Sequence, residues 1–124
     1  MTERPRQEPP ATAPRIDGRA RRAPGLTLRP LATGTGLRVE GEVNVANRAY
    51  WASELGGLVR RGGTVDLELA GLVFIDAGGV AVLVRSAGRL REGSRMILHR
   101  PPSALTRTLE VMFPYLSALE VTDR

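Results

Sequence analysis

Apolar residues recur with two different periods along this chain, and the change between them falls at one aspartate. Val65-Asp66-Leu67-Glu68-Leu69 alternates apolar and acidic residues, the period-two pattern of a half-buried strand. A second apolar run, Leu72 to Ile75, leads into Asp76. Beyond it Val80, Leu83, Val84, Ala87 and Leu90 recur at helical spacing, with Arg85 and Arg89 on another face. Asp76 therefore stands at an N-cap position, its carboxylate accepting from free N–H groups of the first turn. Ala77-Gly78-Gly79 forms that turn with almost no side chain over the backbone, so a partner or an anion can approach it closely.

The same reading extends to both sides. Leu26 to Leu31 predicts a first strand, which Pro30 confines to an edge or ends. Thr33-Gly34-Thr35-Gly36 supplies a turn, and Leu37 to Val43 alternates strongly, giving a hairpin with the first strand. The two glycines of that turn are not a phosphate loop, because no Gly-Lys-Ser/Thr follows and no helix opens there. Asn44 to Asn47 offers helix-start residues ahead of Trp51, Leu55, Leu58 and Val59, and Arg60-Arg61-Gly62-Gly63 suits a helix end. Tyr50 and Trp51 are expected at the core and its boundary. Arg95 to His99 is a further short strand between Glu92-Gly93-Ser94 and Pro101-Pro102. Ser103 is placed to cap a third helix carrying Leu105, Leu109, Met112 and Phe113 on one face, with Pro114 as its stop. Leu116 to Val121 reads as a last strand or a loose terminal segment. The order β-β-α-β-α-β-α, with a possible final β, predicts an α/β fold: one mixed sheet with parallel crossovers and flanking helices.

Composition changes this picture mainly at the N-terminus. A chain of 124 residues with 42% apolar content suits one domain. All eighteen basic residues are Arg. Residues 1–25 hold six of them against Glu3, Glu8 and Asp17, together with five prolines. That stretch is expected to be a disordered Arg/Pro-rich tail, with the domain occupying 26–124. The remaining twelve Arg face ten acids, too even a balance for a nucleic-acid-binding face. No apolar run is long enough to span a bilayer, and the N-terminus lacks the apolar centre of a signal peptide, so a cytoplasmic protein without membrane insertion is expected.

Little catalytic chemistry is on offer. With no Cys and one His, thiolate and multi-histidine metal sites are excluded. His99, Ser86, Ser94 and Ser103 form no nucleophile motif and take structural roles. Glu40 with Glu42, and Asp66 with Glu68, share strand faces, but alternation puts them on the solvent side. No spacing calls for a metal joined to Asp76. The expectation is a non-enzyme with no cofactor and no metal.

Three blocks in order, Gly41-Glu42-Val43-Asn44-Val45-Ala46-Asn47, then Val65 to Leu69, then Phe74-Ile75-Asp76-Ala77-Gly78-Gly79-Val80, resemble the STAS domain family, whose best-known members are bacterial anti-sigma factor antagonists. The resemblance covers about residues 26–122 and implies a mixed four- or five-stranded sheet flanked by helices. It also implies action by protein–protein contact with an anti-sigma factor that is a Ser/Thr kinase, or with a related kinase-fold protein. The partner-binding residues it suggests are Asn44, Asn47, Arg48, Asp76, Ala77, Gly78, Gly79 and Val80. Phosphorylated members of the family carry Asp-Ser-Ser-Gly or Asp-Ser-Thr-Gly at this helix start. Here Asp76 and Gly79 match, but Ala77 and Gly78 stand where the hydroxyls would be, so the usual phosphoserine switch is expected to be missing. Ser86 lies about 12 Å further along the helix and does not substitute for it. Two other readings remain open: a cytoplasmic STAS subunit of a membrane transport assembly or signalling scaffold, and a nucleotide- or anion-binding domain using the Gly78-Gly79 helix start.

Overall fold

The protein is described by a computed structural model over residues 20–32 and 34–124. Its elements run β1 (Arg21–Ala23), β2 (Leu26–Pro30), β3 (Gly36–Val43), α1 (Arg48–Arg61), β4 (Val65–Ile75), α2 (Ala77–Gly88), β5 (Met96–His99), α3 (Ser103–Met112) and β6 (Leu119–Thr122). Among the described residues these strands form one sheet in sequence order, β1-β2-β3-β4-β5-β6. β1, β2 and β3 pair antiparallel, and β3 to β6 pair parallel. Each helix thus bridges two neighbouring parallel strands, and every crossover steps the same way across the sheet. Right-handed crossovers stepping in one direction place all three helices on one face.

The alternation seen in the sequence follows from this one-sided cover. The inner face presents Leu28, Val39, Val65, Leu67, Leu69, Met96 and Leu98, all buried. Against it pack Trp51 and Leu55 from α1, Val80 and Leu83 from α2, and Leu105 and Leu109 from α3. The outer face carries Arg29, Arg38, Glu40, Asp66, Glu68 and His99, none of them buried. A sheet with one solvated face needs polar residues at every second position there, which the sequence supplies.

β4 is a single strand of 11 residues, longer than the two apolar runs read from the sequence. It stays paired to β3 by carrying extra residues. Between the pairs Arg38↔Glu68 and Glu40↔Gly71, β3 advances two positions and β4 three. A second such shift lies between Gly41↔Leu72 and Glu42↔Phe74. Each bulge resets the alternation, so Leu69 and Leu72, three apart, are both buried, while Val73 and Phe74 are both exposed.

Several expectations are corrected. Six strands form among the described residues, where four or five were expected. The additional one, β1, lies inside the stretch read as a tail: Arg21 to Ala23 pair with Leu28 to Leu26 across the Pro24-Gly25 turn. Gly25 adopts φ 75°, which glycine allows without strain. The rest of the expected tail, residues 1–19, lies outside the described residues, as does Thr33 of the expected turn. β1 covers β2, so β2 is not an edge, although Pro30 does end it. At α3 the N-cap is Pro102, and Ser103 is the first helical residue with no capping bond from its side chain. Met112, expected on the inner face, is 63% exposed, because the helix ends there and turns away through Phe113. The last segment does form a strand, β6, parallel to β5.

Candidate docking surface

Asp76 ends β4 and begins α2, and each of its polar atoms has a defined task. Its backbone N–H donates to the Val43 carbonyl at 3.0 Å, tying the ends of β3 and β4 together. Its Oδ1 accepts from the Gly79 N–H at 2.8 Å, the capping bond expected from the sequence. Its Oδ2 pairs with Arg48 Nη2 at 3.1 Å, joining the start of α2 to the start of α1.

Gly79 is fixed on both sides. Its N–H serves the cap, and its carbonyl accepts from buried Trp51 Nε1 at 3.1 Å. A Cβ built on it would fall 2.7 Å from Val43 Cγ1 and 2.8 Å from Ile75 Cγ1, so only glycine fits between the helix and the two strand ends. Gly78 faces outward, and the Arg48 guanidinium lies over it.

The loop from β3 to α1 is organised by Asn47. Asn47 occupies the N-cap position of α1 but makes no side-chain cap bond. Its Oδ1 instead accepts from the Asn44 N–H at 2.9 Å, and its Nδ2 donates to the carbonyls of Pro24 at 2.7 Å and Glu42 at 3.0 Å. At 2% exposure, Asn47 holds the loop from beneath. Val80 is buried in the core as well. Of the eight residues singled out from the sequence, Arg48, Asp76, Gly78 and Gly79 come into mutual contact. Ala77 is exposed at the helix start, Asn44 is half-buried in the loop, and Asn47 and Val80 are scaffold.

Three exposed apolar residues lie close in sequence to this junction and were not singled out. Val45 is 78% exposed in the β3–α1 loop; Val73 and Phe74, at 76% and 50%, precede Asp76 on β4. In sequence, Val73 and Phe74 belong to an apolar run that looks like core. Only the second bulge of β4 turns them outward, and an extra residue in one strand leaves no mark in single-strand periodicity.

The outer face of the sheet holds a separate charged cluster. His99 Nε2 lies 2.8 Å from Asp66 Oδ1, and its Nδ1 lies 2.8 Å from the Arg124 carbonyl oxygen. Two acceptors on one imidazole favour the doubly protonated ring. Burial opposes the charge, but these bonds and the nearby charges of Asp66 and Glu68 raise the His99 pKa above the ordinary 6.5. Glu68 shows the opposite balance. Burial pushes its carboxyl up, yet Arg100, the Ala70 N–H and His99 together bring it below the ordinary 4.5. The acids of this face are thus paired as well as solvated. Among the described residues no group of three His, Cys, Asp or Glu side chains is placed to hold a metal ion. No helix among them is long and apolar enough to cross a membrane.

A mixed sheet in sequence order, with helices in its parallel crossovers and an aspartate capping α2, fits the STAS fold. The chain belongs to that family: the family model described as "Mlab, STAS domain" matches residues 28–112. Solved structures share the fold. The anti-sigma factor antagonist SpoIIAA in its unphosphorylated form superposes with a TM-score of 0.60 at 16% identity, covering 80% of this chain and 88% of that one. An anti-sigma factor antagonist from Mycobacterium paratuberculosis gives 0.59 at 13% identity, covering 85% and 83%. No curated protein matches this sequence.

Proposed function

We propose that this chain is a non-enzymatic regulatory module that acts as an anti-sigma factor antagonist, docking on an anti-sigma factor or related kinase-fold protein in the cytoplasm. The observation that carries this reading is the junction of β3, β4, α1 and α2. There the Arg48–Asp76 ion pair joins the two helix starts, and exposed Val45, Val73 and Phe74 lie in the adjoining loop and strand end. Apolar side chains around a fixed polar centre suit a protein interface, where large anchors are desolvated and charges set the register. The reading places Asn44, Arg48, Asp76 and Ala77 at the contact, with Gly78 beneath Arg48. Neither Ala77 nor Gly78 has a hydroxyl, so docking is not controlled by phosphate at those positions. Anion or nucleotide binding at the α2 start is disfavoured, because the Asp76 carboxylate already takes the Gly79 N–H there.

Mixing the protein with each anti-sigma kinase encoded beside it and following co-migration by size-exclusion chromatography tests the reading. A complex that Asp76→Arg weakens supports it; no complex with any candidate overturns it. The missing hydroxyls also fit a subunit of a membrane transport assembly or a signalling scaffold. That second reading takes precedence if the native protein co-purifies with an ATPase or permease instead.

A further inference from the structure

The space above Gly78 is already occupied. A Cβ built on Gly78 would lie closer than 3.0 Å to Cζ, Nε and Nη2 of Arg48, the nearest atoms outside its own turn of helix. Gly78 has no positive φ, so its backbone would accept any L-residue. The nearest atoms that a side chain there would meet belong to the guanidinium. Arg48 is held over the glycine by its ion pair with Asp76, and its Nε is buried without a hydrogen-bond partner among the described residues. Burying that donor without a partner carries a cost.

We propose that Arg48 and a side chain at residue 78 are mutually exclusive occupants of one place, so that this STAS domain carries a guanidinium where a modifiable side chain would stand. Any residue introduced at 78, with or without a hydroxyl, has to evict Arg48 and break its pair with Asp76. Restoring a hydroxyl at 78 alone therefore rebuilds the surface instead of adding a switch to it. Two glycines in the same chain show the contrast. Gly57 in α1 has nothing within 4 Å of a built Cβ, whereas Gly79 is blocked by the side chains of Val43 and Ile75. Gly78 alone among these three is blocked by a movable charged group.

The consequence for docking rests on the function proposed above, but the coupling is measurable on the free protein. Gly-to-Ala changes inside helices ordinarily stabilise, and Gly57→Ala is expected to raise Tm by about 2–6 °C. Gly78→Ala is expected to give no rise, or a fall, in the wild-type background, and a rise similar to that of Gly57→Ala once Arg48→Ala is present. In a ¹H–¹⁵N spectrum, the buried Arg48 Nε–H gives a protected resonance that Gly78→Ala or Gly78→Ser moves into fast solvent exchange. An equal Tm change from Gly78→Ala in both backgrounds overturns the proposal, as does an Arg48 resonance that ignores residue 78. If Gly78→Ala folds only together with Arg48→Ala, the coupling holds in its strongest form; failure in both backgrounds overturns it. None of these results depends on whether an anti-sigma factor binds.

Discussion

At the residue scale, Asp76 does three jobs with one carboxylate and one amide, and they separate by substitution. Asp76→Asn keeps an acceptor for the Gly79 N–H but removes the charge facing Arg48. Asp76→Ala removes both. Loss of an N-cap costs about 0.5–2 kcal/mol, and a half-exposed ion pair adds little to that. Urea denaturation is expected to place Asp76→Asn near wild type and Asp76→Ala clearly below it; equal losses would show that the ion pair, not the cap, dominates. His99 gives a pH signature instead. Its folded pKa is raised, so its stabilising contribution is complete below the unfolded value of about 6.5 and is lost as pH rises through the folded value. Glu68, with a lowered pKa, behaves in reverse: its contribution stands above about 4.5 and fades as pH falls through the folded value. The Tm difference between wild type and His99→Gln should therefore shrink on moving from mildly acidic to alkaline pH. A difference that stays constant would show that the imidazole acts there only by shape.

At the element scale, the sequence was most legible where a period persisted. α2 and its cap were readable because an aspartate sits where period two becomes 3.6, and the structure places the capping bond there. β1 was not readable, because its three residues, Arg21 to Ala23, are held by backbone pairing and by the Arg21–Glu54 contact at 2.8 Å instead of by buried apolar side chains. Only the Pro24-Gly25 turn signal preceded the strand it reverses into. The exposure of Val73 and Phe74 was hidden for a related reason: a bulge is a property of two paired strands, and the sequence of one shows only hydrophobicity. The cap of α3 was misread because Ser103 is a good capping residue one position too late. At Gly41 two constraints coincide. It has φ 106°, and a Cβ there would collide with the Gly25 carbonyl oxygen in the turn between β1 and β2. Gly41→Ala is expected to lower stability by about 1–3 kcal/mol, measured as a fall in Tm, where a residue constrained by φ alone would sit at the low end. The change should also loosen the Asn47-centred loop, since the Glu42 N–H donates to that same Gly25 carbonyl.

At the scale of the whole molecule, the one-way winding of β3 to β6 separates three surfaces by chemistry. The inner face of the sheet is sealed by helices, and the outer face is laced with Arg–Glu and His–Asp pairs. The ends of β3 and β4 lead to the junction of Arg48 and Asp76, with exposed Val45, Val73 and Phe74 in the adjoining segments. Both the outer face and the junction are accessible and charged, so charge alone does not say which one meets a partner. Exposed apolar residues gain from leaving water and paired charges do not, which favours the end of β4, where Val73 and Phe74 precede Asp76. Phe74→Asp replaces an exposed anchor without opening a core cavity, and Arg38→Glu alters an exposed position on the outer face. Phe74→Asp is expected to leave Tm nearly unchanged while weakening the complex with an anti-sigma factor by about tenfold or more, the scale of one interface anchor. Arg38→Glu is expected to leave affinity within about twofold, as a charge outside the contact would. Calorimetric titration of the partner into each variant decides between the regions: if Arg38→Glu is the damaging change and Phe74→Asp the silent one, docking is centred on Arg38 and not on the end of β4.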